Sequence, residues 1–389
     1  MSDKINSSVP DSYKRLLDQD VQDFINHTAS FYPPDATSAS IEQQRIYYNA
    51  MCSHFAAKLP ANISFKDIQL SRSNPTNDHS AQDVSDHVSD EVADRLTVRL
   101  YSRCEKDKRV TANDANKAPL VVYFHGGGFV VGNLESHHDV CAEIASESGL
   151  DVLSVDYRLS PEYCHPAAFD DACMAIHYAG KISSAVILCG DSAGANLCAA
   201  VSTTAANLRS GICGQVLIYP GLDINRSSAS YQEHAFAPML TAQEVGYYLQ
   251  LRLPVDLYNA IYGSTNQVAD DNIEQIDLST LGLTPAQENL LTTAAPLLAR
   301  NFSNIPPTVC FAAECDPLRD DSKCYCKAII EHGGIAKLHV ENSLVHGYLR
   351  ARHRSEKARH SFEKIILAIK SLARRNTQID SADKTGALL

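Results

Sequence analysis

Cys189-Gly190-Asp191-Ser192-Ala193-Gly194-Ala195-Asn196 decides how the rest of the chain reads. An apolar run, Ala185-Val186-Ile187-Leu188, precedes it, and a helical-looking segment from Ala195 to Leu208 follows. A buried strand that turns sharply into a helix, with Ser at the turn, holds that serine hydroxyl out on a strained backbone. The glycines on either side of Ser192 belong to the same geometry, because side chains there would crowd the turn. The turn also sets Ser192 at a helix N-terminus, where developing negative charge is favoured. The Gly-x-Ser-x-Gly pattern is weak taken alone. A bland serine in a tight strand-to-helix turn reads the same way, so the context must decide.

The context is an alternation of apolar strands and helices. Upstream lie a strand at Leu120–Phe124, a helix at Ser136–Ser148, a strand at Val152–Val155 and a helix at Ala167–Ala179. Downstream come strands at Gln215–Tyr219, Thr308–Ala312 and Lys337–Val340. Helices are expected at Ser322–His332, ending at Gly333-Gly334, and at His353–Arg374. This rhythm predicts a parallel sheet with helices on both faces. Ile63–Leu70 and Leu96–Tyr101 alternate apolar with polar, as half-buried antiparallel strands do. Together these make an α/β fold with a mostly parallel eight-stranded sheet.

Two regions stand outside the rhythm. Residues 1–12 read as disordered. From Ser12 to Thr28, Leu16, Leu17, Val21 and Phe24 recur at helical spacing. Ser40 with Gln43 forms a capping box opening a helix whose apolar face carries Ile41, Ile46, Tyr47, Ala50, Met51, Phe55 and Ala56. Two amphipathic helices before the first strand suggest a covering element. After Pro220-Gly221 come helical pieces such as Ala242–Leu251, a polar acidic stretch around Asp270–Asp277, and a helix started by Thr284-Pro285. The expected division is 1–60 as N-terminal cap helices, 61–222 as the first part of the sheet domain, 223–300 as a cap insertion, 301–376 as the second part, and 377–389 as a mobile tail. The acidic stretch at 73–94 reads as a solvated insertion; a calcium site there would lack EF-hand spacing.

The chain has 389 residues, 44% of them hydrophobic, and a formal charge of −12. That composition supports a sizeable core and argues against nucleic acid or an anionic membrane as partner. No apolar run is long enough to span a bilayer, and the first residues lack a signal peptide's apolar region, so the cytoplasm is expected. The twelve cysteines are scattered through apolar strands and helices, as reduced, buried thiols are. Cys324-Tyr325-Cys326 lacks the spacing and the partner pair of a zinc knuckle. No metal or cofactor is expected.

A serine nucleophile needs a base to take its proton, a carboxylate to orient that base, and donors for the oxyanion. Of the histidines downstream (234, 332, 339, 346, 353 and 360), His346 sits on the loop after the last strand, where such a sheet places its site. Glu314, Asp316, Asp320 and Asp321 compete for the carboxylate. Asp316 stands at a strand end before Pro317, whereas Asp320 and Asp321 look like the start of the next helix. The donors should come from the N–H of Ala193 and from the loop His125-Gly126-Gly127-Gly128-Phe129, whose glycines let backbone N–H groups converge. No Gly-Lys-Ser/Thr follows that loop, which excludes a P-loop.

These motifs, with Asp156-Tyr157-Arg158-Leu159-Ser160-Pro161-Glu162, Asp316-Pro317-Leu318-Arg319-Asp320 and His346-Gly347, occur in the order of the hormone-sensitive-lipase-like family of α/β-hydrolases. The chain resembles that family, many of whose members are microbial carboxylesterases, over roughly residues 119–376. The resemblance implies Ser192, Asp316 and His346 as a triad, Gly127, Gly128 and Ala193 as the oxyanion hole, and His125 as a brace for the glycine loop. It implies a helical cap, a small-molecule ester as substrate and an acyl-enzyme intermediate; short- to medium-chain acyl esters are the expected substrates, without the family's acyl preference being carried over, and a homodimer is left open. Ser160 and Tyr163-Cys164 depart from the family's usual Ala and His-Pro, and 73–94 and 263–294 look like insertions, so cap geometry does not carry over. The rival readings are an amidase or aryl-acylamide deacetylase with the same triad, and a non-catalytic small-molecule receptor on the same fold.

Overall fold

Strand β3 (Leu120–Phe124) is buried at every position, which requires cover on both faces of the sheet. Its odd-numbered side chains join one core and its even-numbered ones another, as strand alternation dictates. The computed structural model describes residues 9–33, 36–72, 95–104, 119–204, 211–263 and 281–384, with side chains as far as Arg375.

The eight strands are β1 (Ile63–Ser71), β2 (Arg95–Arg103), β3, β4 (Val152–Val155), β5 (Val186–Asp191), β6 (Ile212–Ile218), β7 (Thr308–Cys315) and β8 (Ala336–Val345). Their spatial order is β1-β2-β4-β3-β5-β6-β7-β8. β2 pairs antiparallel with both β1 and β4, and the pairings from β4 through β8 are parallel. The winding therefore reverses at β3, between β4 and β5, which is where an open sheet leaves a crevice at its strand C-termini. β3 and β5 end there at Phe124 and Asp191.

One face is covered by α1 (Gln19–Ala29), α2 (Ile41–Phe55), α3 (His138–Ser148) and α11 (Glu356–Lys384). The other is covered by α4 (Ala167–Ile182), α5 (Ala193–Thr204) and α10 (Arg319–Glu331). Helices α6 (Ala229–Glu233), α7 (Ala242–Arg252), α8 (Val255–Tyr262) and α9 (Pro285–Ala294) gather a third core around Leu249, Leu253, Leu257 and Leu291. α7 and α9 open with full capping boxes, Thr241 with Glu244 and Thr284 with Gln287.

Several boundaries differ from the sequence expectation. Residues 9–12 are ordered, and Val9 is buried in the main core. The region 11–17 is a series of turns rather than the start of a helix; they turn Tyr13 and Leu17 inward and leave Leu16 exposed. On α2 the buried side chains are Gln44, Met51, Cys52 and Phe55, while Ile46 is exposed. Before α3, residues 135–137 form a short 3₁₀ turn. α11 starts at Glu356 and stays helical to Lys384, past Asn376, because no Gly or Pro interrupts it. The 73–94 stretch, most of 263–294 and residues 1–8 and 385–389 lie outside the described residues.

Candidate active site

β5 hands the chain to α5 through Ser192, which has φ of 51°, a left-handed value that a side chain adopts only under constraint. The constraint is visible. Ser192 N–H donates to Ile218 O at 2.8 Å, and Asn196 N–H donates to Ser192 O at 3.1 Å to begin the helix. A Cβ on Gly190 would lie 2.6 Å from the Gly194 carbonyl carbon and 2.7 Å from Phe124 O, and one on Gly194 would overlap Phe124 O. The glycines are thus required by a close approach of the elbow to the end of β3, as well as by crowding within the turn itself.

The loop after β8 brings His346 to this serine: Nε2 lies 2.8 Å from Ser192 Oγ, and Nδ1 lies 2.8 Å from Asp316 Oδ2. An ionised carboxylate only accepts, so Nδ1 carries the proton and Nε2 presents its lone pair to the hydroxyl. Asp316 is the first residue after β7 and fully buried, and its other oxygen accepts from Leu318 N at 2.9 Å. The His346 ring also packs against Tyr219, with centroids 4.8 Å apart. Gly347 follows with φ of 74°, a left-handed turn that redirects the chain into 348–351.

The glycine loop leaves β3 beside the elbow. Among the described residues none accepts a hydrogen bond from the N–H of Gly127, Gly128 or Ala193. His125 is wholly buried, and its Nδ1 meets Gly126 O at 2.8 Å. Tyr157 donates to His125 O at 2.7 Å and stacks on the imidazole at 4.3 Å. Burial pushes His125 down to about 3, so the ring is neutral and cannot serve as a proton shuttle near neutral pH.

Beneath the elbow is an assembly that the sequence reading left without a role. The Asp191 carboxylate accepts from Tyr123 Oη at 2.7 Å and from Gly126 N at 2.9 Å, and its oxygen lies 3.2 Å from His137 Nε2. Arg350, from the turn after Gly347, reaches His137 at 3.0 Å and also Ser136 O. Burial alone would raise the Asp191 carboxyl, but His137, Tyr123 and Arg350 outweigh it and hold the group well below the usual range. Burial lowers His137, and the Arg350 charge adds to that, so the pair is an ionised Asp beside a neutral imidazole. Asp191 lay inside the quoted motif; His137 and Arg350 had no sequence signal, since only the fold brings them to it.

The competing candidates have other partners. Glu314 accepts from Ser343 N at 2.6 Å and pins the end of β8. Asp320 takes Ser230 N at 3.0 Å, and Asp321 takes Leu222 N at 2.7 Å. His234 bridges Tyr13 and Arg319, His339 stacks on Phe311, and His353 pairs with Glu143. In the Asp156–Glu162 motif, Arg158 grips Asp171 and Glu162 pairs with Arg45 of α2. Among the described residues no cluster of His, Cys, Asp and Glu could hold a metal ion, and no helix is long and apolar enough to cross a membrane.

A serine on a strand-to-helix elbow, a His–Asp pair on later loops and an adjacent glycine loop define a hydrolase site on a doubly wound sheet. The chain matches the alpha/beta hydrolase fold family over residues 121–350, and it belongs to that family, in the hormone-sensitive-lipase-like group its motifs resemble. It is similar to carboxylesterase NlhH of Mycobacterium tuberculosis, 34% identical over 239 residues that cover 59% of this chain and 66% of that one, just short of two thirds of the relative's length. It is 32% identical to esterase LipI of the same organism, covering 61% of this chain and 68% of the other. Among solved structures, an esterase of Pyrobaculum calidifontis superposes with a TM-score of 0.68 at 26% identity, covering 92% of this chain and 99% of that one.

Proposed function

We propose that the chain is a serine carboxylesterase acting on short- to medium-chain acyl esters, with Ser192 as nucleophile, His346 as base, Asp316 as its orienting carboxylate, and Gly127, Gly128 and Ala193 as oxyanion donors. The observation that carries this is the continuous chain Ser192 Oγ, His346 Nε2, His346 Nδ1, Asp316 Oδ2, with both contacts at 2.8 Å. In this reading Ser192 Oγ attacks the ester carbonyl as its proton passes to His346 Nε2. Asp316 stabilises the imidazolium without taking the proton. The oxyanion takes the N–H groups left without acceptors. The C–O bond to the alcohol then breaks as His346 returns the proton to the leaving oxygen. Water, activated by the same imidazole, cleaves the acyl-enzyme and restores Ser192. Helices α1–α2 and α6–α9 serve as the cap: Gln44 of α2 donates to Tyr247 Oη of α7 at 2.9 Å, closing the two cap segments on each other. Thiols buried in the core, such as Cys141, Cys189, Cys198 and Cys310, support a reducing compartment, the cytoplasm.

The test is hydrolysis of p-nitrophenyl acetate, butyrate, octanoate and palmitate by the wild type and by Ser192→Ala. Activity should peak at the shorter chains and fall by at least about 10⁴-fold in the variant, which should also escape labelling by a fluorophosphonate. Activity that survives loss of Ser192 would sink the assignment.

A further inference from the structure

Arg252 closes α7, in the cap segment, yet it reaches the catalytic end of the sheet. It is 4% exposed, and its guanidinium carbon lies 3.6 Å from the centre of the Phe129 ring, the residue after Gly128. Nη2 donates to Asn196 Oδ1 at 3.0 Å, and Nη1 to Ala294 O at 3.0 Å. Asn196 is the residue whose N–H bonds Ser192 O. One side chain therefore touches the glycine loop and the first turn of the helix behind the nucleophile. One turn earlier on α7, the Tyr248 ring lies against the same loop: a Cβ on Gly128 would fall 2.5 Å from its Cδ1. The cap helix thus grips the loop twice, at i and i+4.

The charge is as informative as the contacts. The buried Arg352 meets Asp139 and Glu143, and Arg99 meets Asp67 and Glu135. Arg252 has no carboxylate partner among the described residues, and its Nε has no acceptor. A buried cation with only neutral partners costs stability in the resting enzyme, and a negative charge that forms near it during reaction is correspondingly favoured. In ester cleavage that stage is the tetrahedral oxyanion, which forms between the glycine loop and Ala193.

Resting on the esterase reading above, we propose that Arg252 is a positioning residue of the oxyanion site: from the cap it clamps the glycine loop, through Phe129, to the nucleophile helix, through Asn196, and its unpaired charge is offset as the oxyanion forms. The cap segment is then part of what stabilises the transition state, besides being a lid. Most of the effect should fall on kcat, since the loop's N–H groups engage fully only in the transition state.

Steady-state kinetics on p-nitrophenyl butyrate test this with Arg252→Met, Arg252→Lys and Phe129→Leu, beside the rate of covalent inactivation by a p-nitrophenyl phosphonate. Arg252→Met should lower kcat on the order of 10²-fold, as a displaced oxyanion donor does, and slow the phosphonate to match. KM should stay within about twofold, and Arg252→Lys, which keeps the charge, should recover most of kcat. Phe129→Leu removes the ring face alone and should lower kcat less. A folded Arg252→Met with wild-type kcat, a rise in KM alone, or equal losses in the Met and Lys variants with a parallel fall in Tm would overturn the proposal. Should Arg252→Met not fold, wild-type kcat in Phe129→Leu overturns it. A wild type inert to both ester and phosphonate fails the esterase reading instead; a reactive wild type matched by an equally reactive Arg252→Met fails this inference only.

Discussion

His346 meets Asp316 at 2.8 Å and His137 meets Asp191 at 3.2 Å, so two histidine–aspartate pairs stand beside the same serine. They differ in what the second ring nitrogen faces. On His346 it faces the Ser192 hydroxyl; on His137 both nitrogens lie within about hydrogen-bonding reach of Arg350. They differ in exposure as well: 12% of the His346 side chain is open, against 2% for His137. Asp191 also takes the Gly126 N–H and the Tyr123 hydroxyl, so its charge is committed to holding the glycine loop to the elbow. The same two residue types thus make a proton relay in one place and a fastening in the other. A free lone pair and an open edge separate them.

Exchanging the two imidazoles for amides tests this division most severely. His346→Asn should lower kcat by about 10⁴-fold or more, as loss of a triad base does, with little change in Tm. His137→Asn should do the reverse, costing about 3 kcal/mol of stability by leaving Arg350 and Asp191 buried and poorly paired, while kcat falls by about tenfold at most. Kinetics and thermal unfolding on the same two variants check both; similar rate losses would break the comparison. Asp191→Asn comes next. The amide keeps an acceptor for Gly126 N–H and Tyr123 but removes the charge opposite Arg350 and His137, so a loss of about 2–4 kcal/mol is expected. kcat should drop roughly tenfold as the glycine loop loosens. A variant as stable as wild type would show that Arg350 needs no counter-charge.

Much of this was legible in the chain. Strands such as Leu120–Phe124 and the first half of β5, Val186-Ile187-Leu188, announce themselves because full burial demands an unbroken apolar run, whereas β5 runs on through Cys189-Gly190 to Asp191, which that run does not mark. His346 and Asp316 could be chosen by position, since loops at the C-terminal ends of parallel strands face the crevice. His137 could not. It lies just before α3 with nothing in its neighbours to mark it, and only the crossover from β3 to β4 brings it under the elbow. Arg252 and Arg350 were hidden for the same reason: their partners Asn196 and His137 are distant in sequence. Leu16 and Ile46 show the opposite error, apolar residues at helical spacing that the fold leaves exposed because turns and packing override periodicity. Asp191 was in plain sight within the elbow motif, but a motif does not say what its intervening residues touch.

Acid offers a gentler way to separate the two sides of the serine. The buried rings His125 and His137 lie 5.6 Å apart, and burial pushes His125 down to about 3, as it does the remote His165. In the unfolded chain each titrates near its ordinary value of about 6.5, so below that pH the unfolded state binds protons that the folded state refuses. Stability is therefore full above about pH 6.5 and falls as pH drops toward about 3, by about 1.4 kcal/mol per pH unit for each such ring, or about 2 kcal/mol each at pH 5. Asp191 has the opposite history: its depressed carboxyl contributes above about pH 3.9 and loses that contribution only below it, whereas Asp156, which burial raises to about 6, takes up a proton in the folded state first and so opposes the imidazole loss between about pH 6 and 5. Thermal unfolding of the wild type and of His165→Gln, which keeps a donor for Leu290 O, from about pH 7.5 to 5 should differ in slope by about one proton, the variant losing less toward acid. The slope that remains then sums His125 and His137 with the other imidazoles that burial lowers, His138, His234 and His339. Were the wild type and His165→Gln to lose stability equally toward acid, His165 would be accepting a proton in the folded state, and burial alone would not keep an imidazole of this protein neutral.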